Sequence, residues 1–347
     1  MKTRKSLTSI GLAVLAGVSH VTPASASMVD IAWVTVGDAG NKADTRVGTG
    51  SLGYGAVGYA YQIGKYEVTN AQYVGFLNAA DPSGANANGI YNTKMGSAIL
   101  GGISYTSAAA SGAKYTIRTN MDNKPVNFVD WYDAARFSNW LGNGQGTGST
   151  ETGAYTLSGN TGDPTKNVGA TVWIPSENEW YKAAYYDPAN SSYSLYPTQS
   201  NTMPVAATAD AVGNISNSGA NVANYNYGVR WNGEWGNVTT VGSAGAASAS
   251  FYGTFDQGGN VYEWDDVVIS AGARGQRGGS YNTNFANLSS TSTHGSGLGW
   301  SFEYDFTGFR VASYSEMSAV PEVTSSFTLL GLITSGLLLR RRTKRSR

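Results

Sequence analysis

The stretch Phe255-Asp256-Gln257-Gly258-Gly259-Asn260-Val261-Tyr262-Glu263-Trp264 and the later Arg277-Gly278-Gly279-Ser280-Tyr281 are the best-patterned parts of the chain. Both join glycines, which suit tight turns, to aromatic residues, which suit a core. Neither has a helical period, so the last third reads as short strands and turns, closing on Gly308-Phe309-Arg310-Val311-Ala312. The second piece runs on through Asn282-Thr283-Asn284-Phe285-Ala286-Asn287-Leu288. It has the look of a site floor, yet Gly278 to Leu288 contains no Cys, His, Asp or Glu.

Helix signals lie upstream of this region. Tyr59 to Val68 alternates as a strand, and Thr69 or Asn70 then caps a helix with Ala71, Val74 and Leu77 on one face. Pro125-Val126-Asn127-Phe128-Val129 leads to Asp130. This residue caps a helix through Leu141, with Trp131, Ala134, Ala135 and Ser138 on one side and Gly142 at its end. Ser176 and Glu179 form an S-x-x-E capping box before a third, short helix. Residues 104–112, 142–169 and 236–250 are rich in Gly, Ser, Thr or Ala and read as insertions or surface loops. The fold class is α+β: a few short helices packed on small, irregular antiparallel sheets.

Composition narrows the function. With 45 glycines, 22 tyrosines and 9 tryptophans among 347 residues, the core should be aromatic and the chain rich in turns. The absence of cysteine removes disulfides, thiolate metal sites and cysteine nucleophiles. Nine of the 23 basic residues sit at the two ends, so the body from Ser27 to Ala319 carries 14 basic against 22 acidic residues. An acidic body with no basic stripe argues against nucleic acid as a partner.

The ends read as addresses. Residues 1–26 have a basic start, a short apolar run and the cleavage pattern Ala24-Ser25-Ala26, as in a secretory signal peptide. Residues 320–347 hold Pro321-Glu322, an apolar run over 325–339 and then Arg340-Arg341-Arg342. As a helix the run rises about 22 Å, a short transmembrane helix with its basic end in the cytoplasm. This tail resembles the PEP-CTERM sorting signal, although Val323 stands where that motif has a second proline. The resemblance implies inner-membrane anchoring, an exosortase-type processing protease as partner, and a final place at the cell surface or outside.

The body, 27–315, carries a resemblance of its own. Tyr66-Glu67-Val68-Thr69-Asn70, Pro125-Val126 to Asp133-Ala134, Ile174-Pro175-Ser176-Glu177-Asn178-Glu179-Trp180, Gly259 to Trp264, Arg277 to Tyr281 and Gly308-Phe309-Arg310 occur in the order seen in the formylglycine-generating enzyme family, also called the sulfatase-modifying-factor domain. The resemblance implies a variant of the C-type-lectin-like fold with little regular secondary structure. Catalytic members hold copper with two cysteines, placed two residues and then five more beyond the Gly-Gly-Ser-Tyr tyrosine. Here those positions are Thr283 and Leu288, so Ser280, Tyr281, Thr283 and Leu288 read as a vestigial site, with no copper and no catalytic residue expected. Iron held by a histidine set is likewise not expected, since His20 and His294 are the only two histidines.

The resemblance also implies structural calcium. One site would use Gly259, Asn260, Val261 and Glu263; a second begins at Asn224 and Tyr225. The competing reading pairs Glu263 with Arg310 or Arg277. The acid pairs Glu177/Glu179 and Glu263/Asp265/Asp266 read as structural rather than glycosidic. Trp231, Trp235, Tyr225, Tyr227, Trp300 and Tyr304 sit in polar, Gly-rich segments and are candidate platforms for a polysaccharide or surface-protein ligand, unless packed in the core. The leading expectation is an exported, non-catalytic binding or matrix-associated protein. The alternatives are a metal-dependent oxidase with an altered centre near Tyr281, Thr283 and Asn284, and a purely structural surface component.

Overall fold

The computed structural model describes residues 28–46, 53–292, 299 and 301–314. The expected signal peptide, the sorting residues Pro321, Glu322, Arg340, Arg341 and Arg342, and the aromatic Trp300 lie outside the described residues. Among the described residues no helix is long and apolar enough to cross a membrane.

The three sequence-read helices form where their caps place them. Asn70–Ala80 starts at Thr69, whose hydroxyl accepts from Gln72 N while Gln72 returns the bond to the Thr69 backbone. Trp131–Gly142 starts at Asp130, boxed with Asp133, and Glu177–Tyr185 starts at Ser176, boxed with Glu179. Each box satisfies two of the backbone donors a helix start leaves open. A further turn of helix covers Lys94–Ser97.

The first helix buries Leu77 as expected but turns the rest of the expected face partly outward. Tyr73, Phe76 and Leu77 are buried with Asn70, whereas Ala71 and Val74 are only half-buried. Ring size explains the rotation: Tyr73 and Phe76 pack on Phe137 at 6.1 and 5.5 Å, and Phe137 meets Phe309 at 5.4 Å. That contact ties the first two helices to the Gly308-Phe309-Arg310 block.

A four-stranded sheet orders Trp33–Val36, Tyr61–Gly64, Ala312–Tyr314 and Val172–Trp173, all antiparallel. It brings both ends of the described body together. A second sheet centres on Tyr262–Ser270, antiparallel to Ala273–Arg277 and parallel to Thr307–Gly308. Four two-stranded ribbons complete the sheets among the described residues. Trp131, Trp173, Trp180 and Trp264 are fully buried, and truncating any one should cost about 3–5 kcal/mol.

The three expected surface stretches fare differently. Residues 104–112 are the end and loop of the hairpin Ile103–Tyr105 with Tyr115–Ile117. Residues 142–169 are loop, but Ala154, Tyr155 and Leu157 are core. The expectation for 236–250 fails where Asn237, Val238 and Thr239 are fully buried, while Ala246 and Ala247 are exposed. Composition misled there, because small polar residues also suit an interior threaded by backbone hydrogen bonds. The last third also holds a short 3-10 turn, Phe285–Leu288, where only strands and turns were expected.

Candidate functional site: a converged floor without soft ligands

Glu263 and Arg277 are cross-strand partners, and Glu263 also lies beside Gly308. Past Arg277 the chain turns through Gly278 and Gly279, at φ +95° and +70°. A Cβ on Gly278 would stand 2.7 Å from the Gln257 carbonyl, so the close approach requires glycine there. The segment beyond is held by backbone bonds: Tyr281 N to Asn260 O at 2.9 Å, Tyr227 N to Tyr281 O at 2.7 Å and Asn226 N to Thr283 O at 2.7 Å.

Of the four positions expected to form a vestigial site, Thr283 and Leu288 both pack against Gly279. A Cβ on that glycine would lie 2.8 Å from Leu288 Cδ1 and 2.9 Å from Thr283 Oγ1, so the two side chains meet over it. Thr283 Oγ1 accepts from Ser280 N at 2.9 Å and donates to Ser280 O at 3.0 Å. Ser280 Oγ donates to Asn282 Oδ1 at 2.7 Å. Leu288 is fully buried against Tyr196, Ala223 and Tyr225. The Tyr281 phenol is pushed far up, first by burial and then by Asp305, to which it is hydrogen-bonded. Asn284 is spent on capping the 3-10 turn, accepting from Ala286 N at 2.9 Å. The floor therefore presents a hydroxyl already engaged on both sides and an aliphatic tip.

Beneath it, Glu263 and Arg310 form a fully buried, two-pronged pair at 2.5 and 2.6 Å. Trp180 Nε1 adds a third bond to Glu263 at 2.7 Å. Arg310 also donates to the carbonyls of Gly64 at 2.9 Å and Phe255 at 2.8 Å. Arg277 takes the other acid, Glu177, in an ion pair and also donates to Ser292 O at 2.7 Å. Glu179 is buried in its helix cap and accepts from Trp173 Nε1 at 3.1 Å and the Tyr59 hydroxyl at 2.6 Å.

The two calcium segments meet as one. Asn260 N donates to Asn224 O at 2.8 Å, and Asn224 Nδ2 donates to Asn237 O at 2.8 Å. Thr239 N donates to Asn260 Oδ1 at 2.8 Å. Within this fully buried knot Asn224 Oδ1 has no hydrogen-bond partner among the described residues. That orphaned oxygen suits a hard cation. The Glu263 carboxylate is already neutralised by Arg310 and takes a further hydrogen bond from Trp180 Nε1. Val261 is buried among apolar residues, and the Tyr225 hydroxyl donates to Pro204 O at 2.6 Å. Among the described residues no three His, Cys, Asp or Glu side chains gather so as to hold a metal.

Sequence reasoning missed Asn237 and Thr239, set in a stretch taken for surface, and Glu67. Both Glu67 oxygens are buried and, among the described residues, without a hydrogen-bond partner, and burial with the nearby Asp256 and Glu263 charges pushes its pKa well up. Glu67 stands in a quoted motif block, but only the fold reveals its burial. Of the aromatic candidates, Trp231 and Tyr225 are core, while Trp235 and Tyr227 are exposed at 64% and 50%. Tyr304 is half-buried and stacks on Phe306 at 4.8 Å.

This α+β architecture, with few short helices and a glycine-turned floor, belongs to a known class. Residues 49–314 match the profile of the sulfatase-modifying factor enzyme 1-like domain, so the chain belongs to the formylglycine-generating sulfatase-modifying family. Solved structures similar to it include Treponema denticola variable protein 1 (17% identity, TM-score 0.46, 84% of this chain and 98% of that one). CarF is similar at 18% identity and TM-score 0.49, over 83% of this chain and 100% of that one. PvdO from Pseudomonas aeruginosa follows at 17% and 0.41, over 82% and 92%. No curated protein sequence matches.

Proposed function

We propose that the protein is an exported, surface-sorted and non-catalytic member of this family, a C-type-lectin-like scaffold that binds an extracellular polysaccharide or a surface protein. The observation that carries the reading is the meeting of Thr283 and Leu288 over Gly279. The two positions that match the family's copper ligands both border Gly279, yet one is a hydroxyl engaged by Ser280 and the other a buried aliphatic tip. Neither holds a soft metal. The sequence of the ends supports the rest: a signal peptide over 1–26, a domain over 27–315 and a PEP-CTERM-like tail over 320–347 with a transmembrane span and an exosortase-type partner.

Calcium is the proposed structural cation, with Asn224 Oδ1 as the oxygen it would take, beside Asn260 and the Gly259–Val261 backbone. The knot carries no carboxylate of its own, so binding would be weak and would serve stability alone.

Elemental analysis of the mature protein tests the reading. Wild type should carry no stoichiometric copper or iron, whereas the double variant Thr283→Cys/Leu288→Cys should bind one Cu(I). Stoichiometric copper or iron on wild type would instead establish the altered-centre oxidase.

A further inference from the structure

Seven arginines lie among the described residues, and five pair with carboxylates: Arg46 with Asp44, Arg136 with Glu151, Arg274 with Asp266, Arg277 with Glu177 and Arg310 with Glu263. Arg118 and Arg230 are, among the described residues, without such a partner. Arg118 lines a cavity of about 400 Å³ with Gly101, Ser104, Thr119, Met121 and Asn232, flanked by the exposed aliphatic Ile99 and Ile117. Its Nη1 donates to the carbonyls of Ala98 and Gly101, the latter at 2.6 Å, which fixes the guanidinium plane. Its Nε and Nη2 make no hydrogen bond among the described residues. Asn232 lies at the tip of the hairpin Arg230–Trp231 with Glu234–Trp235 and is tied across the cavity by Nδ2 to Ile99 O at 3.4 Å. On the same hairpin the Arg230 guanidinium lies 4.7 Å from the ring of the exposed Trp235.

We propose that this cavity binds a saccharide bearing one carboxylate, with the acid on Arg118 and the ring hydroxyls on Ser104, Thr119 and Asn232. The inference rests on the binding-protein reading above and names its ligand. A fixed guanidinium with two free donor nitrogens matches a carboxylate. A single cation in an acidic body disfavours phosphates and other multiply charged ligands. Hydroxyl, amide and glycine backbone around the charge suit hydroxyl groups, while Ile99 and Ile117 offer C–H surface to a sugar face. A peptide terminus would want a defined apolar side-chain pocket, whereas Ile99 and Ile117 are exposed at the rim of this one.

Calorimetric titration of the purified protein with oligogalacturonate, a neutral galacto-oligosaccharide and a short peptide with a free C-terminus tests the inference. Two variants accompany it. Asn232→Asp keeps a residue type that accepts the φ of +54° at that turn and sets a negative charge at the cavity. Arg118→Lys keeps the charge and loses the fork. The uronate should bind at least tenfold more tightly than the neutral sugar, and each variant should lose at least tenfold, with the melting temperature of Asn232→Asp unchanged. Equal binding of both sugars, indifferent to the variants, would overturn the cavity while leaving the binding reading standing. Peptide binding without uronate binding would overturn the ligand class. Binding of no saccharide and no surface polymer would overturn both readings.

Discussion

Thr283 Oγ1 and Leu288 Cδ1 converge on one point above Gly279, 2.9 and 2.8 Å from where a Cβ on that residue would stand. Both side chains pack against the same glycine, and neither is a soft metal ligand. Gly279 is the hinge of that relationship, since it turns at φ +70° and leaves no room for a side chain. Gly279→Ala should therefore destabilise the protein by about 1–3 kcal/mol through overpacking and backbone strain. Gly37→Ala, where an added Cβ meets nothing within 4 Å, should stay within about 0.5 kcal/mol in the same urea titration.

The Glu263–Arg310 pair should behave as a buried ion pair. Arg310→Met leaves a buried carboxylate with one donor, Trp180, and should cost about 3–5 kcal/mol by chemical denaturation. Double replacement by Met at both positions should cost markedly less than the single change. Equal losses would mean that Arg310 acts through its bonds to the Gly64 and Phe255 carbonyls instead.

Stability should fall as pH rises from about 4 to about 7. Burial pushes Asp130 up to about 6 and, with the Asp130 charge beside it, Glu303 up to about 7. Burial likewise lifts Asp266 to about 7 against the pull of Arg274. Folded pKa values above the unfolded ones mean that the native state binds more protons in this window, so its advantage is full below the unfolded pKa and is lost as pH passes the folded one. Thermal melts at pH 5 and pH 8 should show the higher melting temperature at pH 5. Glu303→Gln should reduce the difference, and a melting temperature that rises from pH 5 to 8 would contradict the assignment.

Calcium should raise the melting temperature of chelator-treated protein only at millimolar concentration, as expected where amide and carbonyl oxygens outnumber charged ligands. Asn224→Ala should abolish the shift. A shift already complete at micromolar calcium would place the cation on carboxylates elsewhere, and none at ten millimolar would remove calcium from the account.

What the sequence determined by itself is what depends on local spacing. The caps at Thr69, Asp130 and Ser176, the strand after Gly259 and the glycine turn at Gly278-Gly279 are legible because each needs particular residues at short, fixed offsets. The absence of soft ligands at positions 283 and 288 is legible directly from the residue types there. What depends on long-range packing was decided only by the tertiary structure. The first helix turned its aromatic face inward because Phe137 and Phe309 waited there. Asn237 and Thr239, in a polar, small-residue stretch, went to the interior because Asn224 and Asn260 supplied hydrogen-bond partners from distant segments. Arg310 chose Glu263 and Arg277 chose Glu177, although Glu263 and Arg277 stand opposite each other across the strands. Arg118 was left, among the described residues, without an acid, in a cavity that no local pattern marks. A charge shows its type in the sequence, but its partner is set by which segments the fold brings within a few ångströms of it.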